Sequence, residues 1–122
     1  MALNLPPAYI TGMKPTYNKL QIIMTTHDDL AQAEQLARLL VDSRSAACVN
    51  LLPNVVSVFR WEGETQSETE IMMLIKTTLE NTADVQAIIE AHHSYDVPEI
   101  VRLSGEVLHE PYMQWIRDCL AL

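Results

Sequence analysis

The apolar positions of this chain change period several times, and each change predicts an element. Lys19 to Thr25, KLQIIMT, is an Ile-rich run that predicts a short strand, and Thr26 to Asp29 follow with the hydroxyl and carboxylate groups that cap a helix start. Leu30, Ala33, Ala37, Leu40 and Val41 then recur at helical spacing, with Gln32, Glu34, Gln35, Arg38 and Asp42 on the other side. An amphipathic helix over about residues 28 to 43 is expected. From Ala46 the pattern returns to a strand, which Pro53-Asn54 should bulge or bend because proline lacks the amide donor a ladder needs.

Val55 to Trp61 resumes that strand, and Glu62-Gly63 forms a two-residue loop in which glycine accepts a positive φ. The return strand is polar at its tip, Thr65 to Glu68, and apolar on both faces over Ile71 to Ile75. Asn81 or Thr82 caps a second helix carrying Val85, Ile88, Ile89 and His92 at i, i+3, i+4, i+7 spacing. Pro98 ends that segment, since the residue before a proline is driven out of the helical region. Glu99 to Leu103 predicts a fourth strand with Gly105 as its breaker. Pro111 suits the first turn of a last helix lined by Tyr112, Trp115, Ile116, Cys119 and Leu120.

Strand, helix, strand, repeated once and followed by a helix, predicts a ferredoxin-like α+β sandwich, a split βαβ arrangement with a long β2–β3 hairpin. Both main helices of that fold lie on one face of the sheet. The strands nevertheless carry apolar residues on both: Met72 and Leu74 on one, Ile71, Met73 and Ile75 on the other, and Val55, Phe59 and Trp61 opposite Val56 and Val58. No remaining segment looks long enough to cover the second face, so association with further copies is expected to cover it.

Composition narrows the partners. The 122 residues suit one domain, residues 19–122, preceded by an extended or disordered tail over 1–18 marked by Pro6, Pro7, Gly12 and Pro15. Sixteen acidic against eight basic side chains give a net charge of -8, which repels nucleic-acid phosphates and anionic lipid. An RNA-binding sheet of the same topology would need a basic face. The longest apolar run, Ile71 to Ile75, is far shorter than the roughly 20 residues of a membrane helix. The first residues lack the pattern of a secretory signal, and Cys48 and Cys119 read as buried thiols, so a cytoplasmic location is expected.

Candidate chemistry concentrates in His92-His93-Ser94-Tyr95-Asp96-Val97-Pro98-Glu99. Imidazole and carboxylate together suit Cu(II), Ni(II) or Zn(II), yet adjacent histidines on a helix point about 100° apart and do not bind one ion together. Local packing is the commoner role of a helix-end histidine. Lys76 reads as a ligand contact or a paired charge near the sheet, Trp61 beside Arg60 as a cleft wall or an interface anchor. Glu68 and Glu70 share a strand face, more in the manner of a solvated edge than of an acid/base pair. No nucleophile, triad or glycine-rich phosphate loop accompanies them, so no enzyme is expected.

Three separated blocks, AACVNLLPNVVSVFRWEGETQSETEIMMLIKT, HHSYDVPEIVRL and YMQWI, resemble in order and spacing the CutA family of divalent-cation tolerance proteins, over about Leu20 to Ile116. The resemblance implies a compact, PII-like homotrimer with the hairpin reaching a neighbouring subunit, and a link to copper and other divalent cations. It further implies a metal site at Met24, His92 and Glu99, where the family has cysteine, histidine and glutamate, and a subunit cleft with Trp61, Lys76 and Tyr95. A thioether in place of a thiolate weakens Cu(II) binding, so the ion would be weakly held and not required for folding. Ser94 replaces the proline of the family's HPY motif, which should loosen the turn before Tyr95. The alternative function is a signalling or scaffolding module that binds a protein or a small anionic metabolite.

Overall fold

The computed structural model describes residues 19–121; the expected tail over 1–18 lies outside the described residues. The chain runs β1 (Lys19–His27), α1 (Leu30–Asp42), β2 (Cys48–Trp61), β3 (Glu64–Thr77), a 3-10 turn (Leu79–Asn81), α2 (Thr82–His92), β4 (Val101–Glu106) and α3 (Glu110–Leu120). The four strands form one antiparallel sheet in the order β2-β3-β1-β4. This is the ferredoxin-like α+β arrangement expected from the pattern of the chain. The expected cap of α1 is made, Asp29 standing at its N-cap with its carboxylate accepting from the Gln32 amide at 2.8 Å, whereas Asn81 at the N-cap of α2 makes no side-chain cap bond.

Two clusters of buried side chains hold the layers. The larger puts Ile23, Ile71, Met73 and Ile75 of the sheet against Ala33, Leu36, Ala37 and Leu40 of α1 and Val85 and Ile89 of α2. The odd positions of β1 and β3 therefore face the helices. On the other face Leu20 and Ala47 pack against Met113 and Ile116 of α3. This corrects the expectation that no segment could reach the second face: α3 covers the end of it where β1 begins. Of the expected stripe, Tyr112, Ile116, Cys119 and Leu120 pack there, Met113 joins them fully buried, and Trp115 stays 47% exposed. Met113 and Ile116 are buried deepest against the sheet, flanked by partly buried Tyr112, Cys119 and Leu120. Arg44 fastens the arrangement, its guanidinium donating to the Cys119 and Ala121 carbonyls at 3.3 and 2.9 Å.

The interruption at Pro53-Asn54 is a bulge inside one continuous strand. Leu52 pairs with Met72 and Val55 with Glu70, so one extra residue stands on β2, and Asn54 takes φ 63. An edge strand tolerates the proline because its unpaired side needs no donor. The extra residue exchanges the faces: Val49 and Leu51 look towards the helices, and so do Val56 and Val58 beyond the bulge, while Val55 and Phe59 turn to the far face. Two further expectations are revised. Strand β4 starts at Val101 and carries Gly105 inside its ladder opposite Leu20, and both cysteines are only partly buried.

Outside the patch covered by α3, the far face is left open by the described residues. Val101 and Leu103 of β4 are 42% and 48% exposed, and Met24, Met72 and Leu74 beside them are half-buried. Val56 and Val58 on the hairpin arm are exposed as well.

Candidate functional site

The segment from His92 to Glu99 leaves α2 and crosses the end of β1, where three separate bonds hold it. His93, the C-cap of α2, has φ -84 and ψ 144, so the backbone is already extended there. Its Nε2 donates to the Thr26 carbonyl at 2.6 Å and its Nδ1 accepts the Tyr95 amide at 2.9 Å. Both ring nitrogens are thereby used, and the tautomer is fixed as neutral with the proton on Nε2. Ser94 donates to Asp28 Oδ1 at 2.9 Å. The turn expected to loosen at this position is instead tied to the end of β1 through the serine hydroxyl.

Tyr95 makes the third attachment. Its hydroxyl donates to Glu70 Oε2 at 2.8 Å, and its ring lies against that of His93 with centroids 4.7 Å apart. Burial first, then the Glu70 carboxylate, pushes the phenol well above its ordinary range, so it remains a donor. Glu70 is not the solvated edge expected beside Glu68: it is buried at 8% exposure, whereas Glu68 is exposed.

Beneath these residues lies His27, fully buried at the end of β1 and stacked on His93 at 4.6 Å between ring centroids. Its Nδ1 accepts the Asp29 amide at 3.2 Å and stands 3.2 Å from Asp28 Oδ1, while its Nε2 has no partner among the described residues. Burial, reinforced by the neighbouring His93, lowers its pKa against the opposing pull of Asp28 and Asp29. Sequence reasoning passed over His27. The signal available was a histidine directly before two aspartates at the end of a strand, which local pattern reads as capping alone.

The residues expected to hold metal are distributed differently. Met24 lies half-buried on the open face, paired with Leu74 of β3 and Val101 of β4. His92 lies on the helix side, where with Gln32, Gln35, Leu36 and Leu39 of α1 it lines a groove of about 280 Å³. Glu99 is exposed in the connection before β4. Within one chain the sheet separates Met24 from His92, and among the described residues no three His, Cys, Asp or Glu side chains come together in a metal-holding group. A single chain thus does not supply the donor set.

The cleft residues are separated too. Trp61, 55% exposed, pairs with Glu64 at the hairpin tip, and Lys76 pairs with Cys48 at its base. Twelve residues of extended strand put them roughly 40 Å apart, so only different copies could bring them to one cleft. Lys76 has its ammonium 6.0 Å from the ring centroid of Tyr112 on α3, in a cation–π contact.

A family model described as CutA1 divalent ion tolerance protein matches residues 21–119. The human protein CutA is 36% identical over 86 residues, which is 70% of this chain but 48% of that relative, so the chain spans about half its length. The divalent-cation tolerance protein CutA of Thermus thermophilus is 35% identical over 98 residues, 80% of this chain and 95% of the relative. Among solved structures, a periplasmic divalent cation tolerance protein CutA from Archaeoglobus fulgidus is 34% identical with a TM-score of 0.80, over 84% of this chain and 99% of that one. No helix among the described residues is long and apolar enough to cross a membrane.

Proposed function

The chain belongs to the CutA1 divalent ion tolerance family, and from that membership we propose that it acts without catalysis, as a homotrimer, in cellular tolerance of divalent cations such as copper. The observation that carries the assembly is the open face of the sheet. Val101 and Leu103 stand more than 40% exposed beside half-buried Met24, Met72 and Leu74, and nothing among the described residues covers them. A second copy covers such a face by the same hydrophobic gain that builds the core. The hairpin arm, exposed at Val56, Val58 and Trp61, is the segment that reaches the neighbour.

The cation enters this reading as cargo held between copies. His93 has both nitrogens engaged and His27 is buried, which leaves His92 as the imidazole of this region open to a metal, with Glu99 the exposed carboxylate nearby in sequence. Met24 on the open face supplies a thioether. Donors on opposite sides of one sheet meet only where subunits meet, and the trimer is therefore a condition of the site. The two free cysteines suit a reducing compartment, and cytoplasmic location is part of the proposal.

Light scattering at micromolar concentration should give three protomers, and a stable monomer refutes the assembly. Titration with Cu(II) should then show binding that His92→Ala abolishes with the trimer intact and Met24→Cys tightens. Unchanged affinity in His92→Ala removes this site and leaves the scaffolding reading, in which the same open face takes another protein.

A further inference from the structure

A cavity of about 530 Å³ lies at the end of the sheet where β1 begins, between the turn that follows β3 and the last helix. Its size falls within the range of small-molecule pockets, roughly 300–1,000 Å³. Met113 and Leu120 of α3 and Leu79 give it an apolar wall. Its polar side is set by the register, which places Gln21 opposite Thr77 on one neighbour and opposite Ser104 on the other.

Two side chains at that side keep donor hydrogens that no described group accepts. Gln21 is 4% exposed, and its Oε1 accepts from the Ser104 hydroxyl at 3.1 Å. Its amide nitrogen has two hydrogens and no acceptor for them among the described residues. Thr78 is 9% exposed, and its oxygen accepts from Asn81 Nδ2 at 3.1 Å, so its own hydrogen is likewise left without a described acceptor. Both side chains therefore line the cavity with hydrogens that a ligand's acceptor can take. Lys19, a cationic side chain, is also in the lining. Arg117 lines the cavity as well, with its guanidinium donating to Gln114 at 3.3 Å, and exposed Glu80 is the opposing charge on the rim.

We propose that this cavity binds a small amphiphilic oxyanion, a carboxylate or phosphate monoester with a short apolar tail, and does so without a divalent cation. The acid group would accept from the Gln21 amide and the Thr78 hydroxyl and lie near Lys19, while the tail lies along Met113 and Leu120. The net charge of -8 opposes an anion only at long range, since physiological salt screens beyond about 8 Å. The site uses none of the residues proposed for the cation, so its failure leaves that reading untouched.

The test is calorimetric titration of the full chain, in the presence of chelator, with hexanoate, hexyl phosphate and hexanol. Both acids, or one of them, should saturate at submillimolar to millimolar concentration, the tighter naming the headgroup, and hexanol should bind at least about tenfold more weakly. Lys19→Gln and Thr78→Val should each weaken the acid by about tenfold, the loss expected of a charge-assisted or buried hydrogen bond. Hexanol binding as well as the acids would show a cavity that takes apolar matter without reading the acid, and overturns the proposal. So does the absence of saturation at millimolar acid, or an affinity unmoved by Lys19→Gln. Should Thr78→Val fail to fold, the half-exposed strand start at Lys19 keeps the decision with a variant outside the core.

Discussion

Replacing Tyr95 by phenylalanine removes one oxygen and leaves the ring that lies against His93. The change isolates the bond from the Tyr95 hydroxyl to Glu70 Oε2, 2.8 Å long, which joins the His92–Glu99 segment to β3. Its acceptor is a carboxylate of 8% exposure, so water has little access to replace the lost donor. A hydrogen bond to a charged group contributes about 1.5–3 kcal/mol, and a destabilisation of about 2 kcal/mol is expected here. With a urea slope of ~2 kcal/mol/M, the midpoint of unfolding falls by about 1 M. Glu70→Gln keeps an oxygen for the phenol and loses the charge, and should cost about half as much. The double variant then closes a cycle whose coupling is about 1 kcal/mol. Protein concentration is held fixed throughout, because the apparent stability of the proposed oligomer would depend on it. A coupling indistinguishable from zero, with Tyr95→Phe as stable as the parent, would mean that the phenol does not hold this segment to the strand.

Two further expectations separate faces and protonation states. Met73 is fully buried against both main helices, so Met73→Ala should lower stability by about 2–5 kcal/mol, whereas Leu103→Glu on the open face should yield folded monomer, read by circular dichroism and light scattering together; dissociation by neither variant refutes the open face as an interface. His27 has a native pKa below its reference value of about 6.5, so the stability linked to it is fully present above that pH and is lost progressively as pH falls from there through the lowered native value. Unfolding midpoints measured from about pH 7.5 to pH 5 should therefore decline more steeply in the parent than in His27→Gln, and equal slopes contradict the assignment.

The parts of the fold legible in the sequence are those written in local period. Leu30 to Val41 shows a helix by spacing, Glu62-Gly63 shows the hairpin, and Pro53-Asn54 marks the bulge to the residue. The consequence of the bulge was also written there, since one inserted residue must exchange the faces of everything beyond it. The stripe on α3 was legible at Tyr112, Ile116, Cys119 and Leu120 but not at its centre: Trp115 promises more buried area than Met113, yet Met113 is the one that meets Leu20 and Ala47. Gly105 was misread for a related reason. A glycine ends a pattern in sequence, but opposite Leu20 it remains in the ladder because its backbone groups pair like any other.

What sequence could least supply is the sorting of the two adjacent histidines. Identical side chains one residue apart receive different work because the helix ends between them. His92 is the last residue of α2 and projects beside Leu36 and Leu39 of α1, while His93, already extended, turns inward and spends both nitrogens on Thr26 and Tyr95. The bonds that make the division are contacts across 67 residues to β1 and 25 residues to β3, which no local pattern records. Ser94 reinforces it from Asp28 with a hydroxyl that a proline in its place would lack. The inward histidine thus acts as a clasp, and it leaves the outward one exposed beside α1, as the proposed cation site requires.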